Sequence, residues 1–171
     1  MEFNEVIKNR FCCRDFQEKK IEPEKIQAIL EAASSAPSAG NLQAYHVFAV
    51  SDEKKKKELV RAALGQMFIA EAPLVLVFCA NPEKSSAKYG ERGKNLYSIQ
   101  DATIAAVFAW LKAVDLGLSA CWVGAFDEEE VKEILGAEEI LKPVVIMTMG
   151  YCGEEKEERR REKIEKHLNY S

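Results

Sequence analysis

Between Ala102 and Val114 the chain carries a single charge, Lys112, inside a run from Tyr97 to Leu116 that reads as one long helix ended by Gly117. A helix that is apolar nearly all round must be covered nearly all round. Its apolar stretch, Ala102–Leu111, is too short to cross a bilayer, as is Ala72–Ala80. Protein must therefore supply the cover. One fold of 171 residues does not supply all of it, so a second subunit is expected to provide the missing surface.

The rest of the chain predicts elements to pack around that helix. Glu2–Asn9 forms a first helix. A second begins at Pro23, presents Ile26, Ile29, Leu30 and Ala33 at helical spacing, and is stopped by Pro37. Val47–Val50 reads as a strand. Asp52–Leu64 reads as a charged amphipathic helix with Leu59, Val60, Ala63 and Leu64 on its apolar side. Pro73–Ala80 holds Leu-Val-Leu-Val-Phe, a strand buried on both faces. Ser119–Val123 and Val144–Met149 are further strands. Asp127 with Glu130 opens a helix over Glu128–Leu135 that Gly136 ends. Helices and strands mix without regular βαβ alternation, so the fold class is α+β rather than doubly wound. No repeat or flexible linker divides the chain, which reads as a single domain over 1–171 with a charged C-terminal arm from about 154.

Hydrophobic residues make up 47% of the sequence, which excludes a disordered chain. The net charge of −4 argues against a nucleic-acid partner, so any anion must be held by a few local cations. Met1-Glu-Phe-Asn-Glu begins with acids and lacks the apolar core of a signal peptide, and a cytoplasmic protein is expected. The five cysteines, Cys12, Cys13, Cys79, Cys121 and Cys152, are odd in number and include no Cys-x-x-Cys. Neither a disulfide framework nor a zinc site is expected, and Cys79, Cys121 and Cys152 read as small core residues. His46 reads as structural and His167 as exposed tail, so no metal is expected.

Four short pieces carry chemistry. Arg10 and Arg14 flank the end of the first helix, and guanidinium groups bind phosphate through paired, charge-assisted hydrogen bonds. Pro37-Ser38-Ala39-Gly40-Asn41-Leu42-Gln43 is a turn rich in hydroxyl, amide and free backbone groups, suited to the heteroatom edge of a flat ring. In Val123-Gly124-Ala125, glycine lets a ring approach the backbone. Arg159 and Arg161 share a face if the tail is extended. Each piece alone also fits an ordinary structural role. Together they describe a pocket for a planar cofactor that bears a phosphate. No Gly-x-Gly-x-x-Gly opens a helix, so a Rossmann dinucleotide site is unsupported.

Six segments, in order, resemble the nitroreductase family. Ile7–Phe16 is similar to its opening, a helix followed by Arg-x-Ser-x-Arg-x-Phe, and Ala36–Gln43 to its Ala-Pro-Ser-x-x-Asn-x-Gln turn. Gly65-Gln66 through Ala72-Pro73 resembles its entry to a central strand, and Tyr97–Asp101 the start of its long central helix. Gly117–Phe126 resembles its Gly-Leu-x-x-x-Trp-x-Gly-x-Phe piece, and Arg159–Ile164 its closing basic segment. The resemblance spans nearly the whole chain, from Glu2 to Lys166. It implies an FMN-dependent homodimer with a mixed or antiparallel sheet flanked by helices, the long buried helix at the subunit interface and FMN in a cleft between subunits. NADH or NADPH would donate hydride, and a nitroaromatic, quinone or similar electron-poor acceptor would take it in a ping-pong cycle. Arg10, Phe11 and Cys12 would meet the phosphate and ribityl region. Arg14 would lie near the pyrimidine edge as the electrostatic candidate, with no side-chain acid, base or nucleophile required. Pro37, Ser38, Ala39 and Asn41 would line the ring from the second subunit. Gln66 would bond the pyrimidine end, Val123, Gly124 and Ala125 would cover the other face, and Arg159 and Arg161 would complete the phosphate clamp. Cys12 stands where the family has serine, Ala39 takes a position often held by serine, and Ala44-Tyr45 replaces Pro-Trp. Asn81–Leu96 is short beside members with a helical excursion there. The competing reading is a dimeric flavin-binding or thiol redox-sensing module without turnover, supported by Cys12-Cys13 beside the two arginines.

Overall fold

The computed structural model describes residues 1–156 and 160–170. Its centre is an antiparallel sheet of β1 (Tyr45–Val50), β2 (Leu74–Ala80), β3 (Ser119–Val123) and β4 (Lys142–Gly150), in the order β1-β2-β4-β3. Every residue of β2 is buried, as its unbroken apolar run requires. Because successive side chains of a strand point to opposite faces, that run feeds two cores. Leu74, Leu76 and Phe78 join Val145, Met147 and Met149 on one side, while Val75, Val77 and Cys79 join Ile146 on the other.

The first core is closed by α2 (Pro23–Ser34) and α6 (Ser98–Asp115), with α1 (Phe3–Asn9) lying against α6. The second is closed by α3 (Glu53–Ala62), the short α4 (Phe68–Glu71) and α7 (Glu128–Leu135). Local chemistry sets the helix ends. The Asp52 carboxylate accepts from Lys55 N at 2.9 Å, the Asp127 carboxylate from Glu130 N at 2.9 Å, and Gly136 takes a left-handed φ of 65° after α7.

On α6, Ala102, Ala105, Ala106, Ala109 and Ala113 are fully buried, so small side chains let the helix lie close to α2 and the sheet. The opposite side is only partly covered. Val107 and Phe108 are each 38% exposed, and half-buried Ile104 and Leu111 extend them into one apolar stripe at helical spacing. Phe3 and Ile7 of α1 are exposed as well.

The short Asn81–Leu96 segment, to which the sequence pattern assigned no element, is helical. It folds as α5 (Pro82–Arg92) followed by a single π turn, Gly93–Tyr97, that runs directly into α6. The start signal was present: Pro82 stands at the first position and the Asn81 side chain accepts from Lys84 N at 2.9 Å. The helix has few apolar residues, so periodicity gave no sign of it. No helix among the described residues is long and apolar enough to cross a membrane.

Candidate functional site

After α1 the chain runs extended beside β3, with Cys12 bridged to Ala120 in parallel and Cys13 N donating to Ala120 O at 3.2 Å. Extended geometry alternates side chains, so Cys13 is fully buried while Arg14 is exposed. The Arg10 guanidinium lies over the Trp110 ring at 4.7 Å and that of Arg14 over Phe68 at 5.9 Å. The C-terminal arm returns alongside. Ile7, Lys8, Arg10, Phe11, Cys12 and Arg14 form one wall, and Glu154, Glu155, Lys156, Arg160 and Arg161 the other, of a groove of about 990 Å³. Six of these side chains are cationic and two acidic, in a chain whose net charge is −4. Among the described residues neither Arg10 nor Arg14 is ion-paired to a carboxylate. Arg161 lines the same groove as Arg10 and Arg14; Arg159 lies outside the described residues.

A second group sits beside Phe68. Buried Lys56 donates through Nζ to Ala70 O at 3.0 Å and Ala72 O at 2.9 Å and pairs with Glu53 at 2.8 Å, which fixes the α4 turn. Gln66, just before that turn, donates through Nε2 to Ala63 O at 3.0 Å and to Ala125 O at 3.3 Å. Both amide hydrogens are then used, and its carbonyl oxygen is the end left for a ligand donor. Val123 is buried, whereas Gly124 and Ala125 are exposed. A Cβ at Gly124 would meet nothing closer than Trp122 Nε1 at 3.6 Å, an ordinary contact. The protein itself has no steric need for glycine there.

The Pro37–Gln43 turn does not line the groove within one chain. Its order comes from Asp101, a 2%-exposed carboxylate in the first turn of α6. Asp101 accepts from Ala39 N at 3.0 Å and from Ala44 N at 3.1 Å. Ser38 Oγ accepts from Gln43 N at 2.9 Å. Gly40 has a φ of +58°, a conformation that strains other side chains, and a Cβ there would lie 2.3 Å from the Tyr89 hydroxyl of α5, the movable end of that side chain, so glycine is favoured here chiefly by its backbone.

The cysteine reading needs correction. Cys13 and Cys152 form a disulfide, with Cα atoms 6.2 Å apart and a sequence separation of 139. Cys152 is half-buried at the root of the arm and is not a free core residue. An odd count argues against a complete framework, but it says nothing against one bond between segments that the fold brings together. Cys12 and Cys121 are free. A hydrogen bond from the Cys121 thiol holds Cys12 down to about 5, with Trp122 backbone, Arg14 and Arg10 assisting against burial. The same hydrogen bond pushes Cys121 up. Burial alone pushes Cys79 up to about 12. Cys12 is therefore the more acidic of the two neighbouring thiols.

The groove's chemistry fits a phosphate ester with an extended body: clustered guanidinium and ammonium groups, open on one side, in a volume at the upper end of small-molecule sites. Fold and site together define an α+β domain with a cationic groove beside the central sheet. The nitroreductase family model matches residues 7–84 and 65–151. The chain belongs to the nitroreductase family, and so to the NAD(P)H-dependent oxidoreductases. An Archaeoglobus fulgidus protein provisionally assigned as an NADH dehydrogenase/NAD(P)H nitroreductase is 32% identical over 157 residues, covering 89% of this chain and 86% of that protein. A Bacillus subtilis protein described as an FMN reductase [NAD(P)H] is 30% identical over 164 residues, covering 86% of this chain and 66% of its own length. The solved nitroreductase family protein of Streptococcus pneumoniae superposes with a TM-score of 0.91 at 23% identity, over 99% of this chain and all of that one, and shares the fold.

Three contributors were missed from sequence: Trp110 under Arg10, Phe68 under Arg14, and Asp101 behind the turn. The aromatic residues lie inside apolar runs that look like core. Asp101 was detectable, since it is the one acid entering an otherwise apolar helix.

Proposed function

We propose that this chain is an FMN-dependent NAD(P)H oxidoreductase that reduces nitroaromatic, quinone or similar electron-poor acceptors in a ping-pong cycle as a homodimer. The observation that carries the reading is the cationic groove at Arg10–Arg14, where six basic side chains converge in an acidic chain. Arg10, Arg160 and Arg161 hold the phosphate, and Trp110 orients Arg10 by stacking beneath it. Arg14, stacked on Phe68, brings a fixed positive charge to the pyrimidine edge. Gln66 offers its carbonyl oxygen to a ring N–H, and Gly124 and Ala125 let the ring meet the backbone. Bound there, FMN supplies the chemistry of accepting hydride from a nicotinamide and passing it on. The chain's residues bind, orient and polarise, which is why no nucleophile or general base is needed.

The second copy is supported by the α6 stripe of Ile104, Val107, Phe108 and Leu111. In such a dimer the Pro37–Asn41 turn, which stands away from the groove of its own chain, is available to the groove of the other copy. The purified protein is expected to be yellow, to release FMN on denaturation, and to oxidise NADH or NADPH with menadione or a nitroarene. A colourless protein that takes up no FMN would contradict the reading, and bound flavin that stays oxidised under excess NADH and NADPH would favour a non-catalytic module. Phe108→Asp is expected to shift the sedimenting species from dimer to monomer; an unchanged dimer would move the interface elsewhere.

A further inference from the structure

The Cys13–Cys152 bond joins the two walls of the groove. Cys13 lies between Cys12 and Arg14, and Cys152 lies two residues before Glu154, where the arm begins to line the other wall. Backbone pairing reinforces this root: Gln17 N donates to Tyr151 O at 2.9 Å, Gly153 N to Asp15 O at 2.8 Å, and Gln17 Nε2 to Cys152 O at 2.7 Å. Beyond Gly153 every described residue of the arm is exposed. Among the described residues, its hydrogen bonds to the body there run from Arg14 N to the Glu154 carboxylate and from Lys156 Nζ to Lys8 O. The arm's position over the groove is therefore set at its root. A chain of this size, with two cores, does not need a covalent staple to fold, and the bond, whose Cys13 belongs to the second core and whose Cys152 packs against it, also ties together the two segments that form the groove walls.

We propose that Cys13–Cys152 is a thiol–disulfide exchange site for a dithiol reductant, closed to hold the arm on the groove and opened to loosen it. The consequence for cofactor rests on the reading of the groove as an FMN site. Entry is through Cys152, since Cys13 is fully buried. A thiolate of the reductant attacks Cys152 Sγ and forms a mixed disulfide. The Cys13–Cys152 bond breaks, and its electron pair leaves on Cys13, which takes a proton. The thiol so formed stands 3.0 Å from Asp15 O, its acceptor. The reductant's second thiolate then attacks its own sulfur in the mixed disulfide and expels Cys152, which is protonated in turn. The protein has gained two electrons and two protons, and the dithiol has become a disulfide. The Glu154 carboxylate lies within 4.8 Å of both sulfurs, and its charge opposes an incoming thiolate.

The test uses full-length protein purified in air, with dithiothreitol as the probe. Iodoacetamide under denaturing conditions is expected to label three cysteines before reduction and all five after it, with a Cys13–Cys152 linked peptide in the unreduced digest. Five labels before reduction, or an equivalent of zinc on five free thiols, would overturn the proposal. Oxidised and reduced protein, freed of dithiothreitol by gel filtration, are then compared in FMN titration and in trypsin cleavage between residues 156 and 166. Reduction should weaken FMN binding at least fivefold and speed cleavage at least fivefold, and Cys152→Ser should behave as the reduced form whether or not reductant is added. Equal affinity with equal cleavage in the two redox states would overturn it. If neither state binds FMN, the cofactor reading falls, while the cleavage rates still decide the tether. Glu154→Gln should open the bond several-fold faster; an unchanged or slower rate would overturn the role given to its charge.

Discussion

The Pro37–Gln43 turn and the Arg10–Arg14 segment look alike in sequence, each a short polar piece after a helix, but the structure uses their polar groups in opposite ways. In the turn, the N–H groups of Ala39, Gln43 and Ala44 are already taken by Asp101 and Ser38. In the segment, two guanidinium groups lie over aromatic rings and line an open groove without a carboxylate partner among the described residues. The turn has satisfied its donors internally and presents a rigid shape. The segment has left its donors for something that is not protein. A buried polar group must be paired, whereas an exposed cation need not be, and that difference separates scaffold from site.

Breaking the scaffold side should have the largest effect. Asp101→Ala leaves the Ala39 and Ala44 N–H groups without their acceptor, and Ala44 is fully buried. At roughly 1–3 kcal/mol for each orphaned donor the expected loss is about 3 kcal/mol, a fall in Tm of roughly 10 °C for a chain of this size. Asp101→Asn keeps one acceptor oxygen and should lose about half as much. A Tm unchanged in both variants would show that the turn does not depend on α6.

Breaking the site side should leave stability nearly intact and remove affinity. Arg10→Ala takes away a charge-assisted donor and the cation over Trp110, worth about 2 kcal/mol together. FMN binding should weaken roughly 30-fold, with Tm of the cofactor-free protein moved by no more than a degree or two. If affinity holds and Tm drops, Arg10 is scaffold and the comparison fails.

Gly124 sharpens the same contrast against Gly40. Both are turn glycines in the sequence, but only Gly40 has a positive φ and a neighbour that a Cβ would strike. Gly124→Ala should therefore fold as well as the parent and lose about tenfold in FMN affinity, roughly 1.4 kcal/mol. Gly40→Ala should lose stability instead. Equal FMN affinity in Gly124→Ala would mean that no ring approaches there.

These contrasts also mark what the sequence could disclose. The strand of Leu74–Ala80, the capped helix Glu128–Leu135 and the apolar α6 were legible because burial and capping leave short-range patterns. That Arg10, Arg14 and Arg161 are cations is plain in the sequence, because charge is a local property, and the fold lines one groove with them. The α5 helix was not legible, since Pro82–Arg92 is mostly polar and only its cap announces it. Nor were the rings beneath the arginines: Phe68 and Trp110 lie 54 and 100 positions from them in sequence, and an aromatic residue in an apolar run looks like core until the fold places a cation on it. The Cys13–Cys152 pairing is the extreme case, because proximity across 139 residues leaves no local trace.

Cys12 gives the smallest expected effect and the finest test, because it is the groove residue whose thiol its neighbours make more acidic. The thiolate is the nucleophile toward iodoacetamide. With Cys12 held down to about 5 by Cys121 and the two arginines, its native-state alkylation rate should be nearly flat from pH 6.5 to 8, a range chosen to lie above that value, and should fall only as the pH drops through 5. A thiol at its ordinary value would instead gain about tenfold per unit over the same range. Cys121→Ala removes the hydrogen bond that contributes most, so the flat region should give way to a rising one. A rising profile in the parent would mean that Cys12 keeps its proton at neutral pH, and would return it to the groove as a donor.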